Sequence, residues 1–186
     1  MPKTVKHLLI FSVSVLLFAA LLLFNRPVSG GKIDTPYPLP AFTGEAGEWL
    51  NSKPLTIDAL KGKVVLLDFW TFDCWNCYRS FPWLNDLEKR FRSKDFIIIG
   101  IHTPEFDHEK IRGNVEAKID EFKLTHPVMM DNDFSYWRSL NNRYWPAFYL
   151  VDKQGMVRAH YIGETHQGDS NAIAIEKTIN ALLAEN

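Results

Sequence analysis

Two short apolar runs, GKVVLLDFW (62–70) and DFIIIGIH (95–102), bracket a segment with helical spacing. Runs of this length and β-branched content suit strands buried on both faces, and such strands need helices over both sides of their sheet. Between them, Phe81, Leu84, Leu87 and Phe91 recur at helical intervals, so the unit reads as strand–helix–strand with the strands parallel. Pro82 lacks a backbone donor and is expected to kink that helix.

Later segments extend the pattern. Ile111, Val115, Ile119 and Phe122 suit an amphipathic helix, HPVMMD a short strand and DFSYWRSLN a short helix. PAFYLVD and MVRAHYIG read as strands joined at KQG, and AIAIEKTINALLAEN as a closing helix. Ahead of the unit, WLNSKPLTIDALKG reads as a short strand or turn and then a helical turn. The expected order after Gly62 is β-α-β-α-β-α-β-β-α, an α/β fold with a mixed central sheet and helices on both faces.

The N-terminus carries a different signal. Lys3 and Lys6 precede LLIFSVSVLLFAALLLF (8–24), 17 residues without a charge, and Arg26 follows. That length is at the short edge of a membrane-spanning helix, and the lysines favour a cytoplasmic N-terminus with the rest exported. A cleaved signal peptide is the competing reading, although Val28-Ser29-Gly30 matches a cleavage site poorly. The expected organisation is a signal anchor over 1–26, a Pro- and Gly-rich linker over 27–39 and one domain over 40–186. Beyond residue 26 the chain holds 18 basic and 22 acidic residues, so it carries no basic footprint for nucleic acid.

The chain's two cysteines, Cys74 and Cys77, stand between the first strand and its helix. Zinc would need two further ligands, and no further cysteine and only six scattered histidines are present; no metal and no other cofactor is expected. A haem tether needs His after the second cysteine, where Tyr78 stands. A C-x-x-C at a strand end and helix start is a redox arrangement in which Cys74, at the helix N-terminus, would attack and Cys77 is shielded. Asp68, an acid in an apolar strand, would have its pKa raised by desolvation toward the range useful for moving a thiol proton. Trp75, between the cysteines, should be exposed and available for docking.

VVLLDFWTFDCWNC resembles the strand and active site of the thioredoxin superfamily, and YWPAFYLVDKQGMV resembles its cis-proline loop. FWTFDCWNC, IHTPEF and THPVMMD are most similar to the TlpA-like, DipZ-type membrane-anchored branch. The resemblance spans about 40–186 and implies a thioredoxin-like fold. It also implies Pro146 as a cis-proline, Trp145 offering backbone to a bound substrate strand, Asp68 as the buried acid and Glu105 as an acid near the dithiol. His102 is expected to be structural. The implied activity is thiol–disulfide exchange outside the cytoplasm, on exported proteins with disulfides or thiols. The domain would sit in the periplasm on a single inner-membrane anchor (8–24) and be recharged by a membrane dithiol donor. Asp73 before Cys74 and the uncharged pair Trp75-Asn76 favour a reductase. An oxidase or isomerase with the same site, or a tethered non-catalytic binding module, remain as alternatives.

Overall fold

The computed structural model describes residues 30–92 and 94–185. The strands are β1 (Gly30–Pro38), β2 (Trp49–Leu50), β3 (Val64–Trp70), β4 (Phe96–His102), β5 (Val128–Met130), β6 (Ala147–Val151) and β7 (Met156–Ile162). The helices are α1 (Trp75–Phe91), α2 (Arg112–Phe122), α3 (Ser135–Ser139) and α4 (Ser170–Ala184). They form one seven-stranded sheet in the order β1-β7-β6-β3-β4-β5-β2. β3, β4 and β5 are parallel, whereas β6, β7, β1 and β2 each run antiparallel to their neighbours.

β3 is the centre in every sense. All seven of its residues are buried, and period-2 alternation divides them between two cores. Leu66 and Trp70 face the core under α1, α2 and α4, with Phe81, Leu84, Leu87, Ile119 and Ile175. Leu67 and Phe69 face the opposite core with Ile99, Ile101 and Tyr149. Helices therefore lie on both faces, but unequally: three cover the first, while the second is closed by short α3 and by Leu39, Phe42 and Trp49 from the N-terminal segment. α1 runs through Pro82 as one continuous helix.

The segment expected as linker is different. Residues Gly30–Pro38 form β1, paired with β7 through a register shift between Lys32 and Tyr37. An edge strand needs donors on one side only, so Pro36 and Pro38 are tolerated, and its mostly exposed residues show no apolar alternation to read. The expected anchor over 8–24 lies outside the described residues; among those described, no helix is long and apolar enough to cross a membrane.

Leu87 is fully buried and Ile173 is 59% exposed. Leu87→Ala should cost about 3 kcal/mol in denaturant unfolding, and Ile173→Ala less than about 0.5 kcal/mol.

Candidate active site

β3 ends at Trp70, and the loop 71–73 delivers Cys74 to the first position before α1. Cys74 has extended backbone and caps the helix: its Sγ accepts a hydrogen bond from the Cys77 N–H at 3.2 Å. The two cysteines form a disulfide with Cα atoms 5.3 Å apart. They are unequal, since Cys74 is half-buried and Cys77 is 1% exposed. On reduction, a thiolate at Cys74 would keep the N–H bond and the positive end of the helix dipole, and Cys77 would have neither advantage nor access.

Asp68 lies two residues before Trp70 on the α1 side of β3, the side whose core also contains Cys77. It is 2% exposed, with Gly100 and Phe148 as its register partners on β4 and β6. Burial pushes its carboxyl up to about 8. Gly100 is required for packing here, because a Cβ would stand 2.9 Å from the Trp70 indole nitrogen. His102, at the end of β4, is fully buried, packs edge-on against Trp70 with ring centroids at 4.7 Å and stacks on Phe72. Burial pushes its imidazole down to about 4, so at neutral pH it is an uncharged packing ring.

The buried carboxylate of the loop after β4 is Glu109, not Glu105. Glu105 is exposed, and its backbone N–H donates to Glu109 Oε2 at 2.6 Å. Glu109 is fully buried and also accepts from the Phe106 N–H, the Thr71 hydroxyl and the Asp73 N–H. Burial pushes its carboxyl up, but these four donors prevail and hold it below the usual range. It thereby ties the segment preceding Cys74 to the loop after β4. The sequence signal was available: Glu at the third position of a helical turn, reaching back to the N–H before it. His108 adds a second tie, its Nε2 lying 2.6 Å from Asp73 Oδ2, with both side chains about half exposed.

The Trp145–Pro146 peptide bond is cis. Ala147 pairs with Phe69, which places Pro146 beside the end of β3 on the dithiol side of the sheet. The Pro146 carbonyl accepts from the Gly163 N–H at 2.9 Å, and Trp145 is half-buried against Trp137. Trp75 is 66% exposed and stacks on Tyr78. The strand ends thus bring Asp68, Cys74, Cys77, Trp75, Trp145 and Pro146 to one end of the sheet, with Glu105 on its rim. Among the described residues no group of His, Cys, Asp and Glu is arranged to hold a metal ion.

The sequence profile of the AhpC/TSA family matches residues 37–160. The chain belongs to this family. Protein DipZ of Mycobacterium tuberculosis (strain CDC 1551 / Oshkosh) is 40% identical over 135 residues, 71% of this chain and 19% of DipZ. The chain therefore spans about a fifth of that relative's length. Thiol-disulfide oxidoreductase YkuV of Bacillus subtilis is 28% identical over 148 residues, covering 80% of this chain and 95% of YkuV. Among solved structures, a thioredoxin-like protein in the oxidized form superposes with a TM-score of 0.70 at 28% identity, over 83% of this chain and 99% of that one. A DsbE-type protein from Chlorobium tepidum shares the fold, with a TM-score of 0.63 over 84% of this chain and 98% of that one at 23% identity. Within this family member the fold is thioredoxin-like, as the sequence motifs implied.

Two buried acids give opposite pH signatures. Asp68 goes from 3.8 to about 8 on folding, so the folded protein keeps a proton that the unfolded chain releases. Its contribution to stability is intact below its unfolded value and drains away as pH rises through the folded one. Asp68→Asn should therefore gain on the parent progressively as pH rises from about 4, with the difference levelling off above about 8, and should remove that slope, as read by denaturant titrations across pH. Glu109 is depressed, so its contribution is present at neutral pH and lost in acid. Glu109→Ala should lose about 3 kcal/mol at pH 7, because buried donors are left without an acceptor.

Proposed function

We propose that the chain is a membrane-tethered thiol–disulfide oxidoreductase that reduces disulfides in exported proteins. The carrying observation is the asymmetry of the pair: Cys74 half-exposed at a helix N-terminus, Cys77 buried in the core that Asp68 faces. In the reduced enzyme, the Cys74 thiolate attacks one sulfur of a client disulfide. A Cys74–client bond forms, the client bond breaks, and a client thiolate leaves and takes a proton from solvent. Asp68, a neutral acid at rest with its carboxyl pushed up to about 8, first releases its proton to solvent; the carboxylate then takes the Cys77 proton as Cys77 attacks Cys74 Sγ. The Cys74–Cys77 bond forms, the second client thiolate leaves, and two electrons have passed to the client. A membrane dithiol donor then returns two electrons and two protons to the pair.

In this reading Trp145 and Pro146 present backbone to an extended client segment and Trp75 contacts its flank. Glu105, on the rim, is assigned no step. The domain works in the periplasm on an inner-membrane anchor formed by residues 8–24, and its clients are exported proteins with disulfides or thiols. Direction follows from charge. Asp73 and the buried Glu109 stand around the approach to Cys74, and negative neighbours disfavour a thiolate, which makes a disulfide harder to reduce. His108 beside Asp73 offsets part of that charge when its ring is protonated, which favours the second reading, an oxidase or isomerase with the same residues.

With the full chain, insulin reduction should vanish in Cys74→Ser and in Cys77→Ser, and Cys77→Ser should accumulate mixed disulfides with clients. Retention of parental activity by both variants would remove the dithiol mechanism. The midpoint against glutathione should lie well below the value of about −120 mV found in a dedicated oxidase, and a value at that level would reverse the assigned direction.

A further inference from the structure

Six large apolar side chains are strongly exposed among the described residues: Trp75, Tyr78, Phe106, Ile111, Tyr144 and Ile173. Single exposed apolar residues are ordinary on any surface. Their distribution here is not. Trp75 and Tyr78 lie in the first turn of α1, directly after the end of β3. Phe106 and Ile111 lie in the connection from β4 to α2, Tyr144 just before β6, and Ile173 in the first turn of α4, after β7. Every one of those connections is at the end of the sheet that carries the dithiol.

The N-terminal strand leaves the domain at that same end. Phe69 pairs with Ala147, Ala147 with Ile162, and Tyr161 with Gly30, so the first residue of β1 is level with the end of β3. Three strand spacings separate β1 from β3, about 14 Å. The apolar run ends at Phe24, so six Cα steps reach Gly30, at most about 20 Å when fully extended. The seven residues of β7 alone are about 23 Å long. A tether of this reach is too short to turn back along the domain and seat its far end on the membrane.

We infer that the dithiol end of the domain faces the membrane that carries the anchor, with its aromatic rim in contact with the lipid headgroup layer. The inference rests on the anchor proposed above for residues 8–24. Tryptophan and tyrosine suit this position, since they place an apolar ring and a polar tip across the interface. The exported part has a slight acidic excess, so the contact is made by rings rather than by attraction of a basic patch to anionic lipid. The fitting redox partners are then those that present a thiol or disulfide at the membrane surface.

The test uses the full chain reconstituted in phosphatidylcholine vesicles, with and without lipid brominated near the headgroup. Tryptophan emission in the parent is compared with Trp75→Phe, and a far-end reporter is supplied by Lys61→Trp in the Trp75→Phe background. Bromolipid should quench a component that Trp75→Phe lacks, and should leave the Lys61→Trp signal unquenched. Equal quenching of the parent and Trp75→Phe, or quenching of the Lys61 reporter as strong as that of Trp75, would overturn the orientation. An alkaline carbonate wash separates the two claims. Release of the chain from the vesicles would defeat both, whereas a retained chain with unquenched Trp75 would defeat only the orientation, leaving the rim as a surface for protein clients.

Discussion

A carboxylate stands in the middle of a strand that has no solvent on either face. Asp68 can occupy β3 only by keeping its proton through the neutral range, and β3 can tolerate it only because six other buried residues hold the strand between two cores. Once β3 is fixed, its end fixes the loop that places Cys74 at the head of α1, and its pairing with β6 brings Pro146 to the same end. A group that is destabilising at neutral pH is thus held at the position from which the whole sheet is registered. Cores do not retain such a group for packing, since an apolar residue would pack as well.

The braces around Cys74 are made by two ionisable groups from one short loop. Glu109 holds the backbone of Asp73, and His108 holds its side chain, so the residue before the attacking sulfur is fixed at both atoms that could otherwise wander. The same contacts place ionisable groups one residue from the sulfur: a buried carboxylate held by four donors, and a half-exposed pair screened by water. Geometry and electrostatics at this cysteine are therefore not separable, because the residues that position it also bias its ionisation.

Much of this was legible from the residues in order. The strands within the runs 62–70 and 95–102 are buried at every residue but half-buried Ile97 and declare themselves by composition, and the KQG hairpin and the cysteine spacing declare themselves by turn and motif chemistry. What escaped depends on partners distant in sequence. β1 is a strand because β7 offers an edge 120-odd residues on, about which GGKIDTPYP says nothing by itself. Of the acids in PEFDHE, burial selects Glu109 because a helical turn points it at Thr71 and Asp73, while Glu105 remains in solvent. Local pattern identifies elements; it does not tell which of several like-charged neighbours will be turned inward.

The two margins of the sheet have a consequence for an enzyme meant to meet unfolded chains. β2 is two residues long, and β1 carries Pro36, Pro38 and a register break along the opposite margin. Neither margin offers a run of free donors and acceptors on which a stray extended segment could anneal. A client rich in unpaired backbone would find little to grip along the flanks, and trapping in sterile strand-to-strand complexes is disfavoured where turnover depends on letting go.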